Sequence, residues 1–532
     1  MNPSLPLIIA QARGGALKLA WRLFQEGGYD GIASDPAVLA VKGRLLKDRA
    51  LLSRGAERVR LFGEAAAAYA AADALGPQPY LLINVATLAF LAGDRPKAIL
   101  VAGEVLARLD SGAPLSETPY WLQATRAEAL LLRSDVLGAE AALCAAIALD
   151  PDSWDDHAST LRQFRLIFQV AGIDSSWLEP HRPPVSLHYA GHLGIAETGS
   201  QALRSAIDAV LVEERVGFGY GALAAGSDIV IAEALLERGA ALHVHLPAPH
   251  QVFVEQSVRP FGSGWEARFA VCLAQASSVS VATTMAGAYE PLATALAADL
   301  AMGAAVLNAR RLESIAAQLL ITDGTGGRFG GGVSTARDGT IWEETGRPQH
   351  VIRWSRTANV STTGGLREGR PDRRLAALLH IGFDDLDALD DAGFAKALDE
   401  VVVPFRRRSA AIEAQPDLSL PLGNGRIVAF ASVEAAWRYA MALMCPPEPA
   451  LPLRIAGHYG VAHWLDGPAS ISGPAVVRLN EIAATTLAGT VTVSENFAAA
   501  LFIAAASEVH VELVGEIADQ RLFTLNQTMG RE

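Results

Sequence analysis

Apolar residues recur at helical spacing from Ala37 to Leu75, and no strand-like alternation interrupts that texture across residues 1–178. Two stretches inside it resemble each other. Pro79–Leu109 and Pro119–Leu149 each divide into a pair of helices, with Gly93-Asp94 at the turn of the first and Ser134-Asp135 at the turn of the second. They are offset by about 40 residues, the period of a helical-hairpin repeat. Ala86, Ala98, Ala129 and Ala141 fall where paired helices approach closely. The alternative is a helical bundle that packs only on itself.

From Val185 the pattern changes to short apolar runs separated by helical stretches. VSLHYAG, VGFGYG, ALHVHL, SVSVAT and AAQLLIT read as strands. The helices between them cover Ser200–Glu214, the stretch from Asp228, Gly264–Ala276 and Ala293–Leu312. Strands alternating with helices predict an α/β, doubly wound parallel sheet over residues 185–350, with a ligand crevice at the carboxyl ends of its strands. Asp323–Ile341, with GTGGRFGGG at its start, reads as a loop, and residues 351–373 as an interdomain linker.

Residues 374–532 alternate again, now as an α+β, ferredoxin-like unit. RLAALLHIGF is a strand, and the stretch that follows is a helix with an acidic start and a basic end, as the helix dipole favours. LSLPLGNGRIVAF is a hairpin turning at Asn424-Gly425. A helix over Ser432–Met444, a strand pair in LPLRIAGHYGVAHWL, a helix, a short strand with its helix, and a terminal strand pair complete the unit. The fold class is therefore multidomain: all-α repeats, then α/β, then α+β.

Charge narrows the partners. A net charge of −13 over 532 residues argues against a general nucleic-acid binder, which needs a basic surface. Cys144, Cys272 and Cys445 lie far apart and form no CxxC pair, which fits a reducing cytoplasm. The short apolar stretch near the start lacks a basic segment before it, so no secretory leader is expected. No uninterrupted apolar run reaches the roughly 20 residues of a membrane span.

The first segment, with Asn84, Gly93 and Ala98 in place, resembles the tetratricopeptide repeat, which implies a concave surface for a protein partner. The second carries Gly191-His192-Leu193, Gly219-Tyr220-Gly221, Ala225-Gly226-Ser227-Asp228 and Leu246-Pro247. In these residues it resembles the SLOG superfamily of Rossmann-like domains, which implies binding of a nucleotide-derived ligand. On that pattern the ligand residues are Gly191, His192, Gly219, Tyr220, Gly221, Gly226, Ser227 and Asp228. Independently of the family, the glycines let backbone approach a phosphate or ribose, and the following helix N-terminus offers amides to an anion. Ala224 occupies the third position of G-x-G-x-x-G, so a redox dinucleotide is not favoured. No PGGxGT loop or G-K-[ST] ending is present. His243 and His245 share a strand face, near His250, but no carboxylate or cysteine at matching spacing completes a metal site.

The last segment resembles the class III nucleotide cyclase homology domain through Ile381-Gly382-Phe383, Gly423-Asn424-Gly425, Arg454-Ile455 and Gly457-His458-Tyr459-Gly460. The resemblance places the two metal-binding aspartates of an active cyclase at Leu379 and Asn424, and the transition-state pair at Val477 and Glu481, with Arg478 displaced. A one-residue slip brings His380 to the first metal position. The acidic cluster Asp384, Asp385, Asp387, Asp390 and Asp391 misses calcium-loop spacing and reads as a helix start. The expectation is a non-catalytic signalling protein with no required cofactor. Its expected partners are a small nucleotide-like ligand, a protein on the helical repeats, and a second cyclase-like domain in a homodimer or heterodimer. The alternatives are a nucleotide hydrolase in the middle segment, residual cyclase activity, and a purely structural assembly protein.

Overall fold

The computed structural model describes residues 3–527 apart from 113, 197–200, 285–290, 325–332, 357–371, 384–385, 387–388, 423–424, 445–452, 466–469, 506–508 and 518–519. The chain forms two compact units, Met1–Pro183 and Pro184–Arg310 with Ser314–Thr528.

The first unit is helical: α1 (Leu5–Arg13), α2 (Leu17–Glu26), α3 (Pro36–Leu52), α4 (Gly55–Leu75), α5 (Pro79–Leu91), α6 (Arg95–Asp110), α7 (Pro119–Leu132), α8 (Val136–Leu149) and α9 (Trp154–Ala171). The two look-alike turns use the same device. Gly93 (φ 90°) and Ser134 (φ 66°) reverse the chain, and the aspartate after each caps the next helix. Asp94 accepts from Lys97 N–H at 3.1 Å and Asp135 from Gly138 N–H at 2.9 Å. Helix α9 lies against the first helices of these hairpins, with Leu161, Phe164 and Phe168 in their common core. Its Gln163 accepts from Lys47 of α3 and donates to Glu128 of α7, each at 2.9 Å, and Thr87 of α5 also donates to Glu128. Burial lowers the Lys47 pKa and raises that of Glu128.

The second unit opens with β1 (Val185–Gly191), α10 (Gln201–Glu213), β2 (Val216–Gly221), α11 (Ser227–Glu237), β3 (Ala241–Leu246), α12 (His250–Ser257), α13 (Ser263–Gln275), β4 (Ser278–Val281), α14 (Pro291–Arg311), β5 (Ala316–Thr322), α15 (Val333–Glu344) and β6 (Gln349–Arg353). Every pairing in this sheet is parallel, in the order β4-β3-β2-β1-β5-β6. The chain therefore steps outward from β1 to β4 and crosses back to β5, so the topological switch point lies between β1 and β5. Two elements were not expected. α15 occupies part of the stretch read as a loop, and β6 adds a sixth strand.

A mixed sheet follows: β7 (Arg373–Phe383), α16 (Asp391–Ala397), α17 (Val403–Ala411), β8 (Leu418–Leu422), β9 (Gly425–Phe430), α18 (Val433–Met444), β10 (Leu453–Leu465), β11 (Ser470–Ser472), α19 (Pro474–Thr485), β12 (Val491–Ser494), α20 (Glu495–Ala505), β13 (Val509–Ile517) and β14 (Gln520–Gln527). Its strand order is β13-β14-β12-β10-β7-β9-β8, with β11 on β10 and one parallel pairing, β10 with β12. The expected strand pair over LPLRIAGHYGVAHWL is one continuous strand, β10. Its glycines serve packing rather than a turn: a Cβ on Gly457 would meet Val493 Cγ1 at 2.8 Å. The β8–β9 hairpin forms as expected, with Leu422 paired to Gly425, while its turn residues Gly423 and Asn424 lie outside the described residues. Asp390 caps α16 by accepting from Gly393 N–H at 2.8 Å; Asp384, Asp385 and Asp387 are not described.

Helix α14 belongs to both sheets. Leu296 and Leu300 join the mixed-sheet core, while Ala301, Ala304 and Ala305 pack on Tyr220 of the parallel sheet. Met302 and Val306 share a third cluster with Trp342 of α15 and Phe502 of α20. Where α14 meets α20, a Cβ on Gly303 would stand 2.0 Å from the Ala499 carbonyl oxygen, so only glycine fits. By length and composition α14 could cross a membrane, but 56% of its apolar window is buried.

Candidate functional site

A cavity of about 120 Å³ opens at the carboxyl ends of β1, β2 and β3, beneath α14 and α15. This is where an open parallel sheet of this winding leaves room for a ligand. Of the eight residues expected to bind, Gly191, His192, Gly221 and Asp228 line it; Gly219, Tyr220, Gly226 and Ser227 do not.

The glycines meet packing demands first. A Cβ on Gly191 would stand 2.2 Å from Ser227 Cβ, one on Gly219 2.3 Å from Leu235 Cδ1, and one on Gly221 2.6 Å from the Tyr189 ring. The first two contacts let α11 sit close on the sheet, and the third lets the Tyr189 ring of β1 lie against β2. Gly226, at φ 104°, turns the chain into α11, and Ser227 Oγ donates to the His192 carbonyl at 2.9 Å. The His192 ring lies between the carbonyls of Leu193 and Trp354, at 2.9 and 2.8 Å, and ties β1 to the segment after β6. Tyr220 stacks on His243 with ring centroids 4.5 Å apart. His243 and His245 each hydrogen-bond at 2.8 Å to a serine of the neighbouring strand, Ser278 and Ser280, rather than converging on one point. His250 starts α12.

Asp228 is the centre of the site. Its two carboxylate oxygens accept from the amides of Gly191 (3.0 Å) and Ala224 (3.2 Å). The amides that would cradle an anion are thus already occupied by the protein's own carboxylate. Burial pushes the Asp228 pKa up to about 7, against the pull of those two amides.

A second acid faces the same space. Asp338 on α15 is 3% exposed, and burial pushes its pKa to about 7 even though Arg337 opposes the shift. Arg337 bonds Asp338 at 3.3 Å and Asp299 of α14 at 2.7 Å; Tyr459 of β10 donates to the other Asp299 oxygen at 3.2 Å. A polar chain therefore runs from the cavity wall into the mixed sheet. Thr294 on α14 also lines the cavity, and its buried hydroxyl has no hydrogen-bond partner among the described residues. His188 and His245, also lining residues, are held neutral by burial, each with a pKa near 3. Sequence reasoning missed Asp338 and Thr294 because no local motif marks them; topology alone carries α14 and α15 over the end of β1.

On the mixed sheet, Leu379 is fully buried among Val428, Ile455, Val493 and Phe497. His380 points to the opposite face, where burial and Arg454 lower its pKa. Val477 on α19 is 59% exposed, and Arg478 pairs with Glu481 at 2.7 Å.

No family model matches the sequence, and no curated protein matches it. Solved structures of nucleotide cyclases do match part of it. A guanylyl cyclase domain of the RhoGC fusion protein from the aquatic fungus Blastocladiella emersonii is 13% identical over 29% of this chain and 97% of its own, with a TM-score of 0.26. The adenylyl cyclase CyaB from P. aeruginosa is 11% identical over 29% of this chain and 95% of its own, with a TM-score of 0.26. An adenylate cyclase from Trypanosoma brucei is 15% identical over 30% of this chain and 91% of its own, also at 0.26.

Proposed function

We propose that the chain is a non-catalytic signalling protein whose parallel sheet senses a nucleotide-derived ligand and whose cyclase-like sheet receives the signal. The observation that carries this reading is the cavity at the carboxyl ends of β1, β2 and β3: two buried carboxylates, and a threonine hydroxyl without a partner among the described residues, face an open space. Buried polar groups of that kind are retained where something binds. The route outward is the chain Asp338–Arg337–Asp299–Tyr459, together with α14, whose residues line the cavity and fill the mixed-sheet core. A ligand that favours one packing of α14 shifts the mixed sheet with it. The helical repeats recruit a protein partner, and the cyclase-like sheet pairs with a second such domain.

The cyclase-like sheet is read as silent because the position of the first metal-binding aspartate is a leucine wholly inside the core. A neutral hydrocarbon there supplies no ligand for a divalent ion. Incubation with ATP or GTP and manganese should yield no cyclic nucleotide.

Calorimetry of the full chain against nucleosides, nucleotides and cyclic nucleotides tests the sensor. Binding by at least one compound is expected, and Ala298→Trp, which fills the cavity from α14, should abolish it. If no compound binds, the sensor reading fails. A hydrolase is the second reading, and one observation favours it: two carboxylates in one cavity, each with a pKa near 7, are suited to general acid–base work. It predicts release of free base or phosphate on incubation with a nucleotide.

A further inference from the structure

We infer that the cavity takes a phosphate-free, hydrogen-donating part of its ligand, the sugar or the base of a nucleoside, and excludes phosphate. The inference rests on the cavity being the ligand site, and sets what chemistry the site accepts.

Three observations carry it. First, the described lining residues include Asp228 and Asp338 but no lysine or arginine. Both carboxylates are more than nine-tenths buried, at 6% and 3% exposure, so water screens them little. Among the described residues, a phosphate entering here would meet two acids and no fixed cation. Arg337, next to Asp338, is already engaged by Asp299 and Asp338. Second, the Gly191 and Ala224 amides donate to Asp228 and are not free for an incoming anion. Third, the unmet polar capacity is of the complementary kind. Among the described residues, each Asp228 oxygen accepts a single amide, leaving lone pairs over, and the Thr294 hydroxyl is buried without a partner. Sugar hydroxyls and exocyclic amines satisfy such groups. The pKa of about 7 at both acids fits the same ligand, because a half-protonated carboxyl both accepts from and donates to a hydroxyl.

Size agrees. At about 120 Å³ the cavity is well below the ~300–1,000 Å³ of sites that enclose whole drug-sized ligands, and suits one part of a nucleoside, its sugar or its base.

The test is calorimetry of the full chain at pH 7 with adenosine, guanosine, cytidine and uridine, each beside its 5′-monophosphate. At least one nucleoside should bind, with its monophosphate at least about tenfold weaker. Asp338→Asn, which removes one negative charge, should shrink that ratio, and Thr294→Val, on a separate helix, should weaken the nucleoside severalfold while thermal unfolding is unchanged. Monophosphates that bind as tightly as nucleosides or tighter, and lose binding in Ala298→Trp, would overturn the exclusion of phosphate and leave the sensor standing. Failure of every nucleoside and every monophosphate would overturn both.

Discussion

Asp228 lies beside β1, a central strand of its sheet, Leu379 lies within β7, a central strand of the other, and each is buried. Asp228 keeps a carboxylate against two amides beside an open cavity, and Asp338 adds a second acid across that space. Leu379 closes its position with hydrocarbon packed on Val428, Ile455 and Val493. The cavity keeps two acids largely out of water, a desolvation cost that the hydrocarbon at Leu379 does not incur. Buried acids with raised pKa values make the cavity the candidate site.

The hardest test of that contrast is Leu379→Asp. An unpaired carboxylate in the mixed-sheet core should cost about 4 kcal/mol and depress the midpoint of thermal unfolding sharply. A variant that folds normally would mean that the position tolerates an acid after all. Gly191→Ala is next. The added methyl would collide with Ser227 Cβ, so about 2 kcal/mol is expected to be lost, with partial recovery in the double variant that also carries Ser227→Gly. Unaltered stability with lost ligand binding would instead give Gly191 a purely ligand-facing role.

Asp338→Asn probes the acid itself. Its pKa of about 7 in the folded protein lies above the ordinary value of 3.8, so the folded state holds the proton more tightly. That contribution is fully present below about pH 4 and is lost as pH rises through 7. The native protein should therefore lose stability between pH 5 and 8, and the asparagine variant should lose less, by on the order of 1–3 kcal/mol across that span. An identical slope in both proteins would show that Asp338 does not carry it. Tyr459→Phe is the mildest change. Removing one hydrogen bond to Asp299 should cost about 1 kcal/mol, and ligand-induced protection of β10 in hydrogen exchange should fade while affinity for the ligand barely changes.

Much of this architecture was legible because it is written in local chemistry. Gly93-Asp94 and Ser134-Asp135 announce a reversal and a cap within two residues, and both do that in the structure. Alternating strand and helix patterns gave the parallel sheet without its strand order. The glycines of β10 misled because a glycine that lets neighbouring strands or helices approach has the same signature as one that turns. α15 was hidden behind the glycine-rich run before it. The cavity lining was half legible: Gly191, His192, Gly221 and Asp228 stand at or just past strand ends, where a crevice is expected, whereas Thr294 and Asp338 reach it only through the crossover from β4 to β5 and the helix after β5. No window of sequence contains that relation.

Gly303 carries a consequence for how the chain is made. Its contact with Ala499 joins α14 to α20, a helix synthesised well after it. Until α20 leaves the ribosome, Leu296, Leu300 and Met302 have no finished core to enter. The nascent parallel sheet must carry that apolar helix face uncovered until α20 is made, a span in which chaperone binding competes with aggregation.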